Sequence, residues 1–110
     1  MKITQLSRRF FVTGQITADD LRAIAKHGFD HIINNRPDDE AAAQPRSDER
    51  ANAAENLGIE YAHLPVASGR ISKENIADFN GISRILGNRV LLFCRSGERS
   101  TKLWQLSAYS

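Results

Sequence analysis

The segment Val90–Thr101 constrains the fold most, because it joins an apolar run, the only cysteine, a glycine-containing loop and the start of a helix. The run Val90–Phe93 predicts a buried parallel strand with Cys94 at its carboxyl end. Gly97 relieves the steric limits on the loop, and Ser100–Leu106 predicts a helix. Backbone N–H groups then converge in front of the sulfur, so the segment predicts an anion-binding loop.

The rest of the chain alternates predicted strands with predicted helices. The strands are Ser7–Thr13, Phe29–Asn34 and Ile59–Leu64, and the helices run between Thr17 and Gly28, from Pro45 through Leu57 and from Lys73 to Leu86. The buried face of the third helix is predicted to comprise Ile76, Phe79, Ile82, Ile85 and Leu86. This alternation predicts one α/β domain over residues 1–110, with a small, largely parallel four-stranded sheet and flanking helices.

Composition and charge exclude several classes of partner. Fifteen Lys and Arg residues face thirteen Asp and Glu residues, and no basic run concentrates the net charge of +2, so neither nucleic acid nor a membrane surface is predicted as a partner. The N-terminus lacks the apolar region of a signal peptide, and a single cysteine forms no internal disulfide, so we expect a cytoplasmic protein. The short final helix leaves either a minimal fold or a sheet that a partner, such as a second copy, completes.

Cys94 is the candidate nucleophile. The helix dipole and the cations Arg95, Arg99 and Lys102 stabilise its thiolate, whereas the alternative is a small core residue that ends a strand. The loop residues predicted to bind substrate are Arg95, Ser96, Gly97 and Glu98. Because His31 and His63 lie in predicted strands without metal-ligand spacing, we predict no metal and no cofactor.

A second polar loop follows the predicted strand Phe29–Asn34. Ligands bind at the carboxyl ends of strands in open α/β sheets, so Arg36 and Asp38 are expected on the same edge as the cysteine. Arg36 is predicted to bind substrate, and Asp38 to act as an acid or, more simply, as a positioning residue. Asp39 and Glu40 are interpreted as a solvated turn.

Four blocks in order carry a family resemblance: Phe11–Ile16, Ile32–Pro37, Tyr61–Val66 and Phe93–Ser100. They resemble the phosphatase-like domain of β-lactamase-hydrolase-like proteins, a domain of unknown function that looks like a bacterial branch of the dual-specificity and tyrosine phosphatase fold. The resemblance covers nearly the whole chain. It implies that Cys94 is the nucleophile, that Arg99 clamps an oxyanion and that Ser100 places a hydroxyl near the sulfur.

Two departures from tyrosine phosphatases keep the function open. Four residues, not five, separate Cys94 from Arg99, and Ala67–Arg70 lacks the aspartate that serves as general acid in those enzymes. The short loop is similar to that of rhodanese-type sulfurtransferases, which carry a persulfide on cysteine. We therefore expect a phosphatase-like hydrolase acting on a small oxyanion or phosphoester, with persulfide-based sulfur transfer as the main alternative and a non-catalytic anion-binding module as a weaker one.

Overall fold

The apolar run that ends at Cys94 is the central strand of a five-stranded sheet in the computed structural model, which describes residues 1–85 and 87–110. The strands are β1 (Thr4–Gln5), β2 (Phe10–Thr13), β3 (His31–Asn34), β4 (Glu60–His63) and β5 (Val90–Phe93). The helices are α1 (Ala18–Lys26), α2 (Ser47–Asn56), α3 (Lys73–Ser83) and α4 (Glu98–Leu106). The strand order is β1-β2-β5-β3-β4, and every pairing except β1 with β2 is parallel. The predicted α/β class with a largely parallel sheet is confirmed.

The prediction of four strands is wrong by one. The predicted first strand begins only at Phe10, because the Leu6 and Ser7 N–H groups both donate to the Phe10 carbonyl and turn the chain. The turn brings β1 back along β2 as an antiparallel hairpin. A strand of two exposed residues carries no hydrophobic alternation, so the sequence pattern did not reveal it.

Strand β5 is buried on both faces, which explains its uninterrupted apolar sequence. On one face, Leu91 and Phe93 pack in a cluster that includes Leu21 of α1 and Ala54 of α2. The cluster on the other face contains β5 residues Val90 and Leu92, Phe79 of α3 and Leu103 of α4. Two helices therefore cover each side of the sheet, and the end of β5 is fixed between two cores.

Helix α3 ends earlier than predicted. Continuing the helix would pair the Gly87 N–H with the Ser83 carbonyl, but that carbonyl accepts from Arg9 Nη2, and the Gly87 N–H donates to His31 Nδ1 at 3.1 Å. Ile85, predicted to be buried, is 82% exposed. The predicted burial of Leu86 lies outside the described residues.

The remaining helix boundaries follow local capping. Thr17 caps α1 and Ser72 caps α3, each through a capping box with the residue three positions later. Helix α2 begins at Ser47 rather than Pro45, and α4 begins at Glu98, two residues before the predicted start. In the part of the chain that the structure describes, no helix is both long enough and apolar enough to cross a membrane.

Candidate functional site

A cavity of about 430 Å³ opens at the carboxyl edge of the sheet, where the loops after β4 and β5 face each other. The segment from β5 into α4 contributes Cys94, Ser96, Glu98, Arg99, Lys102 and Leu106, and the loop after β4 contributes Ser68, Gly69 and Ile71. This is the edge at which open α/β sheets bind ligands. The cavity therefore unites the candidate nucleophile with a cation and with a facing loop.

The loop after β5 wraps its backbone around the sulfur. Cys94 is 1% exposed, and its Sγ accepts a hydrogen bond from the Gly97 N–H at 3.1 Å. Gly97 has a φ of +92°, in the left-handed region that favours glycine, and a Cβ there would lie 3.3 Å from the Thr13 carbonyl oxygen. Because Gly97 also caps α4, the sulfur lies at the positive end of that helix.

A backbone hydrogen bond joins the same loop to the turn after β2. The Gln15 N–H donates to the Arg95 carbonyl at 3.1 Å, and a Cβ on Gly14 would lie only 3.0 Å from that carbonyl oxygen. The Thr101 hydroxyl donates to the Gly97 carbonyl at 2.8 Å. The Arg95 and Gly97 carbonyl groups are thus bound outside the cavity, while the Gly97 N–H donates to the sulfur.

Arg99 is held by one edge of its guanidinium group. Its Nη1 and Nη2 donate to the two carboxylate oxygens of Glu40 at 2.9 and 3.2 Å, and Nη1 also donates to the Val66 carbonyl at 2.9 Å. These contacts use three of the five N–H donors of an arginine. The remaining donors, the Nε–H and one Nη2–H, share the other edge, which has the geometry to bind an oxyanion in two places.

Glu40 is a site residue that the sequence interpretation missed. Asp39 and Glu40 lie in the exposed turn that was predicted, but the side chain of Glu40 is 22% exposed and binds both Arg99 and Arg36, the latter at 3.0 Å. Burial tends to raise the pKa of Glu40, but the hydrogen bonds from Arg99 and Arg36 outweigh it and hold that pKa below its usual value. The four-residue spacing of Arg36 and Glu40 was the only local signal of this pairing.

Arg36 acts on the cavity through Glu40 rather than by lining it. It is buried, and its Nη1 donates to Gln15 Oε1 at 2.9 Å while its Nε binds Glu40. Its carbonyl oxygen lies 2.8 Å from His63 Nε2. The side chain predicted to contact substrate therefore ties the turn after β2 to the loop after β3.

Asp38 does not line the cavity that contains the cysteine. Its Oδ1 accepts the Ser47 N–H at the start of α2 at 2.8 Å, and its Oδ2 lies 3.7 Å from Arg46 Nη2. The carboxylate thus satisfies a helix N-terminus. This geometry does not place Asp38 beside the cavity, either as an acid or as a positioning residue.

Ser100 joins the cysteine loop to the loop after β3. The hydroxyl is buried and donates to Asn35 Oδ1 at 2.8 Å, while Asn35 Nδ2 donates to the Leu64 carbonyl at 3.1 Å. Asn35, which sequence analysis did not single out, therefore connects the loops after β3, β4 and β5. In this arrangement the Ser100 hydroxyl stabilises the loop framework.

The other predicted loop residues are divided between two surfaces. Glu98 lines the cavity, and Ser96, whose Oγ accepts the Glu98 N–H at 3.3 Å, lines both surfaces. Arg95 is exposed and lines a depression on the opposite side of the loop, beside Gly14. The structure therefore separates Arg95 from Arg99.

The loop after β4 forms a tight turn opposite the sulfur. The Arg70 N–H donates to the Ala67 carbonyl at 3.0 Å, and Gly69 adopts a φ of +71°. No residue from 67 to 70 carries a carboxylate. Over the described ranges 1–85 and 87–110, no group of three or more His, Cys, Asp or Glu side chains could hold a metal ion.

Comparison with known sequences identifies the family. The model of the beta-lactamase hydrolase-like protein, phosphatase-like domain, matches residues 2–110. A beta-lactamase hydrolase-like protein of Xylella fastidiosa is 35% identical over 107 residues, which make up 97% of this chain and 25% of that protein. The chain therefore spans about a quarter of the length of the curated relatives it matches.

Solved structures agree in fold. A candidate phosphatase from Neisseria meningitidis Z2491 has a TM-score of 0.84 and 32% identity, covering 91% of this chain and 71% of that chain. The core catalytic domain of the Saccharomyces cerevisiae PP-IP phosphatase SIW14 has a TM-score of 0.68 and 12% identity, covering 87% of this chain and 57% of that chain, and it shows the fold alone. With a family match over nearly its full length and a phosphatase-like fold, the chain belongs to the phosphatase-like domain family of beta-lactamase hydrolase-like proteins.

Proposed function

We propose that the chain is a cysteine-dependent phosphatase that hydrolyses phosphate monoesters with phenolic leaving groups. The observation that carries this proposal is the 3.1 Å hydrogen bond from the Gly97 N–H to Cys94 Sγ, at the floor of a cavity that also contains Arg99. A thiolate that receives a backbone N–H at a helix N-terminus is stabilised as a nucleophile.

The reaction requires two displacements at phosphorus. Cys94 Sγ forms an S–P bond as the P–O bond to the leaving group breaks, and the leaving oxygen departs with the electron pair. Water then attacks phosphorus, which breaks the S–P bond and regenerates the thiolate with release of inorganic phosphate. The free edge of Arg99 and the loop N–H groups bind the phosphoryl oxygens during both steps.

The residues of the loop after β4 determine which leaving groups the site favours. General acid catalysis contributes roughly 10²–10⁴-fold, and an alkyl phosphate depends on it because an alkoxide is a poor leaving group. Residues 67–70 supply no acid, and Asp38 is bound to the start of α2. Glu98 lines the cavity, but from the first turn of α4 rather than from the facing loop, where the general acid of tyrosine phosphatases lies. A phenolate leaves without such assistance, so the site favours aryl esters.

Sulfur transfer is the second candidate, and the four-residue spacing between Cys94 and Arg99 favours it. In that reaction the thiolate takes the outer sulfur of thiosulfate, the S–S bond breaks and sulfite leaves with the electron pair. Cyanide then attacks the outer sulfur of the Cys94 persulfide, which gives thiocyanate and restores the thiolate.

One pair of assays distinguishes the two reactions. The purified chain and its Cys94→Ser variant are each given an aryl phosphate, or thiosulfate with cyanide. We expect aryl phosphate hydrolysis by the unmodified chain and its loss in the variant. Thiocyanate formation without phosphate release overturns the phosphatase proposal in favour of sulfur transfer, and phosphatase activity that survives Cys94→Ser overturns the role of the cysteine.

A further inference from the structure

The cavity is larger than the oxyanion site that it contains. Its volume of about 430 Å³ lies within the range of roughly 300–1,000 Å³ that is typical of small-molecule sites, whereas a phosphate group needs only the part beside Cys94. At about 1.5 Å per residue, α4 extends the cavity by roughly 10 Å from Arg99 to Leu106. Space beyond the phosphate therefore continues along one helix.

Three side chains on one face of α4 line this extension. Arg99, Lys102 and Leu106 are spaced by three and four residues, so they project from the same side of the helix. They present, in order, the oxyanion clamp, a second cation and an apolar group. Ile71, half-buried, faces them from the loop after β4.

The two apolar groups leave a surface that a ligand can cover. Leu106 is 54% exposed although it is a large aliphatic residue, and it lines the cavity together with Ile71. Burial of apolar surface is favourable, so an apolar ring placed between these side chains is stabilised. A fully polar leaving group gains nothing from them.

Lys102 supplies charge without an internal partner. Among the described residues it has no carboxylate within 4.0 Å, in contrast to Arg99 and Arg36, which both bind Glu40. Glu98 lies one helical turn earlier, beside the anion-binding loop, and is not within ion-pair distance of Lys102. Lys102 is therefore a cation of the cavity that has no ion-pair partner among the described residues, while Glu98 contributes a carboxylate to the same cavity.

We propose that Ile71, Lys102 and Leu106 form a leaving-group subsite, and that the substrate is an aryl phosphate monoester that carries a second negative charge, a carboxylate, on the side of its ring that faces α4. The proposal rests on the proposed function for the phosphate end. The ring lies between Ile71 and Leu106, and the carboxylate pairs with Lys102. Recognition by both cations and by the two apolar side chains selects an aromatic molecule with two anionic groups.

A matched pair of substrates tests the second charge. The probes are 3-(carboxymethyl)phenyl phosphate and 3-(carbamoylmethyl)phenyl phosphate, whose methylene group insulates the phenol so that the leaving groups are alike. We expect kcat/KM to be about threefold higher for the carboxylate, mainly through KM, as is usual for a partly exposed ion pair, and the preference to fall with added salt. Lys102→Gln removes the preference, whereas Lys26→Gln, which removes one positive charge outside the cavity, retains it.

Binding measurements test the subsite independently of catalysis. The same two probes are titrated calorimetrically into the Cys94→Ser variant, with and without Lys102→Gln. A preference for the carboxylate probe that Lys102→Gln abolishes supports the subsite, even if the unmodified chain hydrolyses neither probe, a result that would overturn the proposed function alone. Equal Kd values for the two probes, or a preference that survives Lys102→Gln, overturn the subsite while hydrolysis of both still supports the phosphatase.

Discussion

The loops after β5 and β3 meet at Arg99, but different forces hold them. Hydrogen bonds of its backbone fix the loop after β5. The Gly97 N–H donates to Cys94 Sγ, and the Arg95 carbonyl accepts from the Gln15 N–H. Charged side chains hold the loop after β3, chiefly Glu40 between two arginines. The loop after β5 forms the cradle, which is the backbone of residues 94–98 around the sulfur. The loop after β3 orients Arg99, the cation beside this cradle.

The two loops also differ in how the sequence specifies them. The cradle is encoded in contiguous residues, whereas Glu40 and Arg99 are 59 positions apart in the chain. Substitutions that strain φ or add atoms where space is short disrupt backbone contacts, whereas acid and added salt weaken ion pairs. Substitutions in the two loops should therefore differ in how their effects on activity and stability depend on pH and salt.

The largest effect is expected where the two loops meet. Arg99→Lys retains the charge but loses the edge that binds an oxyanion in two places, so we expect kcat/KM on an aryl phosphate to fall by roughly 10²–10³-fold. Arg95→Lys is the matched control, because Arg95 lies on the opposite side of the loop and should leave the rate nearly unchanged. Similar losses in both variants would show that the two arginines are not separated as described.

Gly97→Ala tests the backbone-held loop. A residue other than glycine at a φ of +92° costs about 1–3 kcal/mol, and the new Cβ would lie 3.3 Å from the Thr13 carbonyl oxygen. We expect a lower free energy of unfolding and a loss of about tenfold or more in kcat/KM as the N–H turns away from the sulfur. Gly81→Ala in α3 is the control, since its Cβ meets nothing within 4 Å and alanine favours a helix by about 1 kcal/mol.

The sequence predicted the cradle because local rules specify it. An apolar run buried on both faces, a cysteine at its end and a glycine before a helix leave few other conformations, and the structure has β5, Gly97 and α4 in that order. The capped starts of α1 and α3 were predictable for the same reason. The two-residue strand β1, the starts of β2, α2 and α4 and the end of α3 departed from these local patterns.

The side-chain roles in the loop after β3 could not be predicted, because they depend on partners that are distant in the sequence. Arg36, Asp38 and Glu40 look alike in sequence as polar residues after a strand. Their different roles depend on which element packs nearby: Asp38 meets the start of α2, and Glu40 meets Arg99. A carboxylate in a polar loop takes the nearest unpaired donor, and a single sequence does not reveal that donor.

Glu40→Gln tests the loop held by ion pairs. Loss of the charge frees Arg99 to reorient, so we expect a several-fold fall in kcat/KM and a loss of about 1 kcal/mol or less in unfolding free energy at neutral pH. Because the fold lowers the pKa of Glu40 below 4.5, its stabilisation is present above that pH and is lost as the pH falls through the lowered value. The stability difference between the two proteins should therefore vanish in acid and shrink in high salt, as chemical denaturation at several pH values will show.

The neighbouring carboxylate provides the control for Glu40. Asp39 has a side chain that is 85% exposed, and its nearest cation is Arg46 at 3.8 Å. Asp39→Asn should change neither kcat/KM nor the pH dependence of stability measurably. If it matched Glu40→Gln, the effect would belong to the net charge of the loop rather than to the contact with Arg99.

The smallest effect on catalysis is expected at Asp38, although it lies two positions from Glu40. Its carboxylate accepts the Ser47 N–H, so Asp38→Ala should cost about 0.5–1 kcal/mol of stability through the start of α2, while the rate on an aryl phosphate stays the same. Asp38→Asn retains an acceptor oxygen and should recover most of that stability. A loss of activity on an alkyl phosphate but not on an aryl phosphate, in both variants, would give Asp38 the role of general acid. The loop after β3 would then reach the cysteine directly, and the division between a backbone-held cradle and a charge-held clamp would no longer hold.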